Sequence, residues 1–449
     1  MRVLSGLLFF PRGGSAQVAR SLATELPRQG WDVTVLSGSL GSGRADARHF
    51  YSGLDVHAVD FDAGDAPMHP SYEDRPGAPD RCFAAVDDDS YREHVTAWAR
   101  AMERAGAASA DVLHLHHLTP LNEAATLVAP GVPIVGHLHG TELMMLERIA
   151  AGAPPAWRHA DAWAERMRRW ARACERLILL ADSQLERAVA MLGVEPGDCV
   201  TIGNGFDAER FRPAPVDRAT FWRRQLAEDP RGWRPGQDEG SVAYSAEQAG
   251  GLAERVVVLA VGRFTEVKRL PLLVAAFERA RRAARRRAAL VLIGGHPGEW
   301  EGEHPLETVE RIGAEDVYLA GWHDHDELPE FFNAADVQAL ASVREQFGLV
   351  LVEGMACGVP PIAVDRFGPA GIVDDGETGW LVPPDDEAAL AEAIAAAIDD
   401  GAERERRGRA ARQAAGGRWT WPTLAGEVAR VLGEAAGARG GRATGTPAL

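Results

Sequence analysis

Twice along this chain a short apolar run ends in a glycine-bearing turn and gives way to helical spacing. Residues 3–9 are mostly apolar and lead into Pro11, Gly13 and Gly14. Val18, Leu22 and Leu26 then recur at the helical period, with Ala19 and Ala23 beside them. Gly30 ends the run and residues 33–36 are apolar again. This is a β-α-β unit, and its repetition specifies a parallel sheet covered by helices. Looser repeats place strands at 112–115, 133–138, 177–180 and 200–202, with a Trp- and Arg-rich helix around 156–175. A second alternation starts at Arg255, with strands at 256–261, 290–293, 317–320, 337–341 and 361–364. Helices are expected at 270–287, 347–357, 387–399 and about 421–436.

The expected fold class is therefore α/β, with two Rossmann-like domains. A chain of 449 residues has room for both. The first is expected over 1–211 and the second over 212–420, because composition changes near Arg212. Ligands bind such sheets beyond the carboxyl ends of the strands, so two domains facing each other predict one interdomain cleft. Residues 37–89 read as a long excursion over a substrate cleft, and 229–250 as a surface insertion. Trp419 and Trp421 flank the last helix, 421–436; they either anchor its crossing back to the first domain or pack in the second. Residues 437–449 read as a disordered tail.

A net charge of −17 opposes a nucleic-acid partner, which needs a surplus of Lys and Arg. Cys82, Cys174, Cys199 and Cys357 form no CxxC pair, so four reduced thiols are expected. No apolar run reaches membrane-spanning length, and residues 3–9 read better as a buried strand than as a signal peptide. A cytoplasmic protein is expected. The Arg-rich stretch 281–287 reads as a solvated face rather than a lipid contact.

Four constellations carry chemistry. In Glu345-Gln-Phe-Gly-Leu-Val-Leu-Val-Glu353 a helix is expected to begin near Phe347. Free amides at a helix start, here around Gly348, Leu349 and Val350, attract phosphate. Glu345 lies just outside that start, and Glu353 is the lone charged residue between Gln346 and Val364. Sugar and ribose hydroxyls would suit both carboxylates; a capping Glu and a solvated helix Glu explain the same spacing. Second, Arg263 and Lys268 follow the strand 256–261 and could neutralise a diphosphate, or form a plain basic loop. Third, Gly13-Gly14-Ser15 opens the first helix, where amides can meet a phosphate or an acceptor. Fourth, His114, His116 and His117 end one strand and His137 and His139 the next. With Glu142 nearby they raise the question of zinc; hydrogen-bond donors at a cleft and packed sheet residues are the favoured reading.

Taken in order, the segments GGSAQVARSLATELPRQGWDVTVLSG, HLHGTEL, IGNGFDAERFRP, VGRFTEVKR and EQFGLVLVEGMACGVPPIAVDRFGPAGIVDDGETGWLVPPDD resemble family 4 glycosyltransferases of the GT-B fold, over nearly the whole chain. The resemblance implies a retaining transferase that takes sugar from a nucleotide-sugar, with a UDP-sugar first among donors. It implies no cofactor and no metal. Carried over by position, Arg263 and Lys268 hold the diphosphate. Glu345 binds donor-sugar hydroxyls beside the backbone of Phe347, Gly348 and Leu349. Glu353 binds the ribose, His139 lies near the reacting centre, and Gly14 approaches the phosphate or acceptor. Trp31 and Gly371 stand where the family often has His and Glu. The acceptor hydroxyl is not named by these motifs.

Two other enzymes compete. A GT-B epimerase or phosphorylase shares the fold but explains the paired glutamates and GRFTEVKR less well. A nicotinamide-dependent oxidoreductase would place G-x-G-x-x-G after the first strand and an acid at the end of the second. PRGGSA lacks that spacing, and Leu36-Ser37 offers no carboxylate.

Overall fold

The computed structural model describes residues 1–11, 13–73 and 80–443. The chain divides into two compact units, residues 1–204 with the C-terminal helix, and Gly205–Thr420. The sequence reading put this division at 211/212; Phe211 instead packs its ring on His325 and Phe332 inside the second unit.

The first unit is built on seven strands: β1 (Arg2–Leu7), β2 (Asp32–Ser39), β3 (Asp55–Asp60), β4 (Val112–His116), β5 (Ile134–His137), β6 (Arg176–Leu179) and β7 (Cys199–Thr201). Their order is β3-β2-β1-β4-β5-β6-β7, and every pairing is parallel. The order reverses between β1 and β4, so helices after these two strands leave on opposite faces and open a crevice there. The expected excursion over 37–89 is corrected: it contributes the last residues of β2 and the whole of β3. β3 was missed because an edge strand, DVHAVD, is only partly buried and shows no apolar run.

The second unit has six parallel strands: β8 (Val256–Val261), β9 (Ala288–Ile293), β10 (Val317–Gly321), β11 (Val337–Leu340), β12 (Pro361–Val364) and β13 (Trp380–Val382). Their order is β10-β9-β8-β11-β12-β13, with the reversal between β8 and β11. The central strands read VVVLAV and AALVLI because both faces are covered.

Three further corrections follow. Residues 229–250 are no surface appendage. Trp233 and Val242 lie in the second unit's core, Arg231 bridges Gly321, and the Leu319 amide donates to the Tyr244 hydroxyl at 2.8 Å. The segment therefore covers the edge of β10. The last helix runs from Trp421 to Ala443, so 437–443 are helical, while 444–449 lie outside the described residues. Trp421, Leu424, Ala425, Val428, Val431, Leu432 and Ala435 form one buried stripe in the core of the first unit. Each Leu or Val there is worth roughly 1.5–3 kcal/mol of apolar burial. Trp419, by contrast, is buried in the second unit, where its carbonyl accepts from the Phe206 amide at 2.9 Å.

The four cysteines are free thiols. No described helix is long and apolar enough to cross a membrane. Within the Arg-rich stretch, Arg281 and Arg282 pair with Glu278, and Arg285 with Asp399.

Candidate donor and acceptor sites

Most of the candidate residues sit near the carboxyl end of a strand or at the start of the helix that follows, while Glu353 lies inside the helix Leu349–Ala356. In the second unit two loops flank the reversal. One leaves β8 and carries Gly262, Arg263 and Lys268; the other leaves β11 and carries Glu345, Phe347 and Gly348. The Val343 amide donates to the Val267 carbonyl at 3.0 Å and ties the loops together. Lys268 lies over Gly262, and its ammonium is ion-paired with the Glu345 carboxylate. Both side chains remain about one-fifth exposed, at 19% and 21%, so the pair faces solvent while fixing both groups. Arg263 is exposed and forms no ion pair among the described residues, which leaves its guanidinium available to an anion.

The helix expected at 347–357 spans Leu349–Ala356. Gly348 caps it at φ 107°, a left-handed conformation that strains other residues, and among the described residues no side-chain hydrogen bond caps its start. Phe347 is held in place by Gly368, which fits closely: a Cβ there would lie 2.1 Å from the Phe347 carbonyl oxygen. Gly368 also donates its amide to the Glu345 carbonyl at 3.1 Å. Gly368 was not singled out from the sequence; only its three-dimensional neighbours reveal its part.

Glu353 is buried, at 2% exposure. His325, in the loop after β10, meets it with Nε2 2.6 Å from Oε1. Burial pushes the Glu353 carboxyl up, and the bond and charge of His325 oppose that. Burial also pulls His325 down, but the bond to Glu353 and its charge outweigh it, so His325 stands above its usual 6.5. His325 was missed in the sequence: GWHDHDEL carries no spacing signal that pairs it with a residue 28 positions away.

In the first unit, Gly14 lies exposed in the first turn of the Gly13–Glu25 helix that follows β1, and a Cβ there would meet nothing within 4 Å. β4 and β5 end in the histidine group. His114 Nε2 and His137 Nδ1 stand 3.2 Å apart, and His116 Nδ1 and His139 Nε2 stand 3.1 Å apart. His117 adopts φ 67° and turns its Nδ1 to within 2.6 Å of Glu142 Oε1. The His139 amide donates to both oxygens of Glu142 at 3.3 and 3.2 Å. Glu142 was noted in the sequence only as a neighbour; in the fold it holds the turn that presents His139. Burial pushes His114 down to about 4, and burial with neighbouring rings also holds His116, His137 and His139 well below the usual 6.5. These imidazoles are therefore neutral at pH 7, able to donate one hydrogen bond each but not to carry charge.

Two family models match consecutive stretches: "Glycosyltransferase Family 4" over residues 12–210 and "Glycosyl transferases group 1" over 246–414. D-inositol 3-phosphate glycosyltransferase 1 of Catenulispora acidiphila is 30% identical over 322 residues, 69% of this chain and 69% of that protein. The chain belongs to the family 4 glycosyltransferases. D-inositol 3-phosphate glycosyltransferase 2 of the same organism is 31% identical over 233 residues, 51% of this chain. That match spans about half of the relative's length, 48%. Among solved structures, Anabaena HepE in complex with UDP-glucose is 18% identical, covers 97% of this chain and 100% of its own, and superposes with a TM-score of 0.67. It shares the GT-B fold of this glycosyltransferase.

Proposed function

We propose that this glycosyltransferase moves a sugar from a UDP-sugar to an acceptor hydroxyl, in the cytoplasm, with retention of anomeric configuration and no metal ion at the diphosphate. The observation that carries the reading is the pairing of Lys268 with Glu345, beside Arg263, which forms no ion pair among the described residues, where the second sheet reverses. A diphosphate needs cations and a sugar ring needs acceptors, and this arrangement offers both side by side. The solved complex of HepE with UDP-glucose supports the choice of donor. In this reading Arg263 and Lys268 neutralise the departing diphosphate. Glu345 accepts from sugar hydroxyls, the amides of Gly348 and Leu349 face the donor, and Glu353 takes the ribose diol. His139, neutral and fixed by Glu142, donates to the sugar near the reacting carbon. Gly14 leaves room for a phosphate or acceptor to reach the backbone.

The chemistry is a front-face substitution. The bond from the anomeric carbon to the diphosphate oxygen breaks, the acceptor oxygen bonds to the same face, and its proton passes to the departing phosphate. The protein contributes orientation and charge stabilisation, unlike retaining glycosidases with their carboxylate nucleophile. The test is incubation with a panel of nucleotide-sugars and hydroxyl acceptors, inositol phosphates among them, with product configuration read by NMR. An α-linked product from an α-linked donor is expected. An inverted product, or turnover of the sugar with no acceptor dependence, would overturn the reading.

A further inference from the structure

The first unit holds a feature that sugar transfer leaves unused. His114 and His116 are two residues apart on β4, and His116 stands in register with His137 of β5. Alternation along a strand then sends all three rings to one side of the sheet. They are fully enclosed, at 0, 0 and 1% exposure. One nitrogen of each ring lies within 4.8 Å of the other two. The facing nitrogens of His114 and His137 are 3.2 Å apart; two imidazoles bound at roughly 2.0–2.1 Å to one tetrahedral ion would stand about 3.3 Å apart.

The alternative, a ladder of neutral imidazoles bonded only to each other, leaves one nitrogen of His116 with nothing to bond. Within the set, His116 Nε2 is buried without a partner among the described residues, and it is the nitrogen that an ion would satisfy. A buried nitrogen without a partner is unfavourable, and apolar side chains would fill the same space without that cost. The donor set also says which ion would fit. Three imidazoles suit zinc and its neighbours, whereas magnesium and calcium take oxygen ligands. Glu142, fully buried beside His117, sets a carboxyl group next to the cluster.

We propose that His114, His116 and His137 hold a zinc-class divalent ion that clamps the end of β4 to the end of β5. The ion is structural and stands apart from the donor chemistry. It fixes the floor beneath His139, which touches the set through His116. With the rings enclosed, it enters as the chain folds and exchanges slowly afterwards. The inference does not depend on the choice of sugar or acceptor.

The experiment uses the untagged full-length chain, refolded from denaturant in EDTA and then with zinc or cobalt. About one ion per chain is expected to survive gel filtration, with the visible absorption of tetrahedral cobalt. Zinc should raise the Tm by roughly 5 °C or more over the EDTA-refolded protein. His137→Gln should lower bound metal to about a tenth of an ion per chain or less. Equal metal in that variant would mean a surface site and overturn the proposal. So would wild type that refolds with cobalt and shows no visible bands. If His137→Gln does not fold, X-ray absorption of the cobalt-loaded wild type decides: a shell with three imidazoles supports the clamp, and any other shell refutes it.

Discussion

The ends of β4 and β5, on one side of the reversal in the first sheet, and the ends of β8 and β11, which flank the reversal in the second, are both carboxyl ends of parallel strands, yet their electrostatics are opposite. The second unit gathers charged groups at its reversal point, Arg263 exposed and Lys268 on Glu345, with His325 from the loop after β10 bonded to Glu353. The first unit gathers neutral imidazoles, with Glu142 enclosed by His117 and the His139 amide. A region that must grip a charged donor can keep its ions partly wet, because water holds them until the ligand arrives. A region that offers neutral hydrogen bonds can be dry, and its accuracy then rests on burial. Substitutions should therefore cost activity in the second unit and stability in the first.

The largest effect tests the wet side. Lys268→Ala should lower kcat by about 100–1,000-fold while shifting the Tm little, because the pair it breaks is solvent-facing. Nucleotide release alongside thermal melting measures both, and a variant with full activity would remove Lys268 from the donor site. Next, Glu142→Ala should destabilise the chain by about 2–4 kcal/mol in urea unfolding, since it leaves His117 Nδ1 and the His139 amide buried without their partner. A loss below about 1 kcal/mol would mean that the first unit is not held by burial after all. The smallest effect is in pH. His325 stands above 6.5 because of Glu353, so the stability it lends is fully present below 6.5 and fades as pH rises through its raised value. With His325 about a third exposed, the difference between wild type and His325→Gln should stay below about 1 kcal/mol. Urea midpoints from mildly acidic to alkaline pH should converge as pH rises, and a constant gap would contradict the pairing.

What the sequence reveals follows burial. The buried strands of both sheets were legible because both faces are apolar. The helix Gly401–Arg418 was not, since its buried face consists of Arg404, Gly408, Ala411 and Ala415. Gly408 brings it against the Gly358 backbone, where a Cβ would lie 2.3 Å from the carbonyl oxygen; such a contact leaves no apolar period. β3 and β13 were hidden as edge strands, β3 only partly covered. At the sites, motifs that lie within a single loop were readable, including Arg263 with Lys268 and Glu345 with Gly348. Contacts between distant segments were not: His325 on Glu353, Gly368 under Phe347, and the way Glu142 divides itself between His117 and His139.

The segment at 229–250 has a consequence for life in a crowded solution. β10 ends the second sheet, and an open strand edge is a template on which another chain can pair. Here Arg231, Gly232 and Tyr244 are laid along that edge, with Gly232 so close that a Cβ would meet the Leu319 carbonyl at 2.4 Å. A stretch that looks dispensable for sugar chemistry thus acts as a guard against self-association, and a shortened chain would be expected to aggregate before it lost its fold.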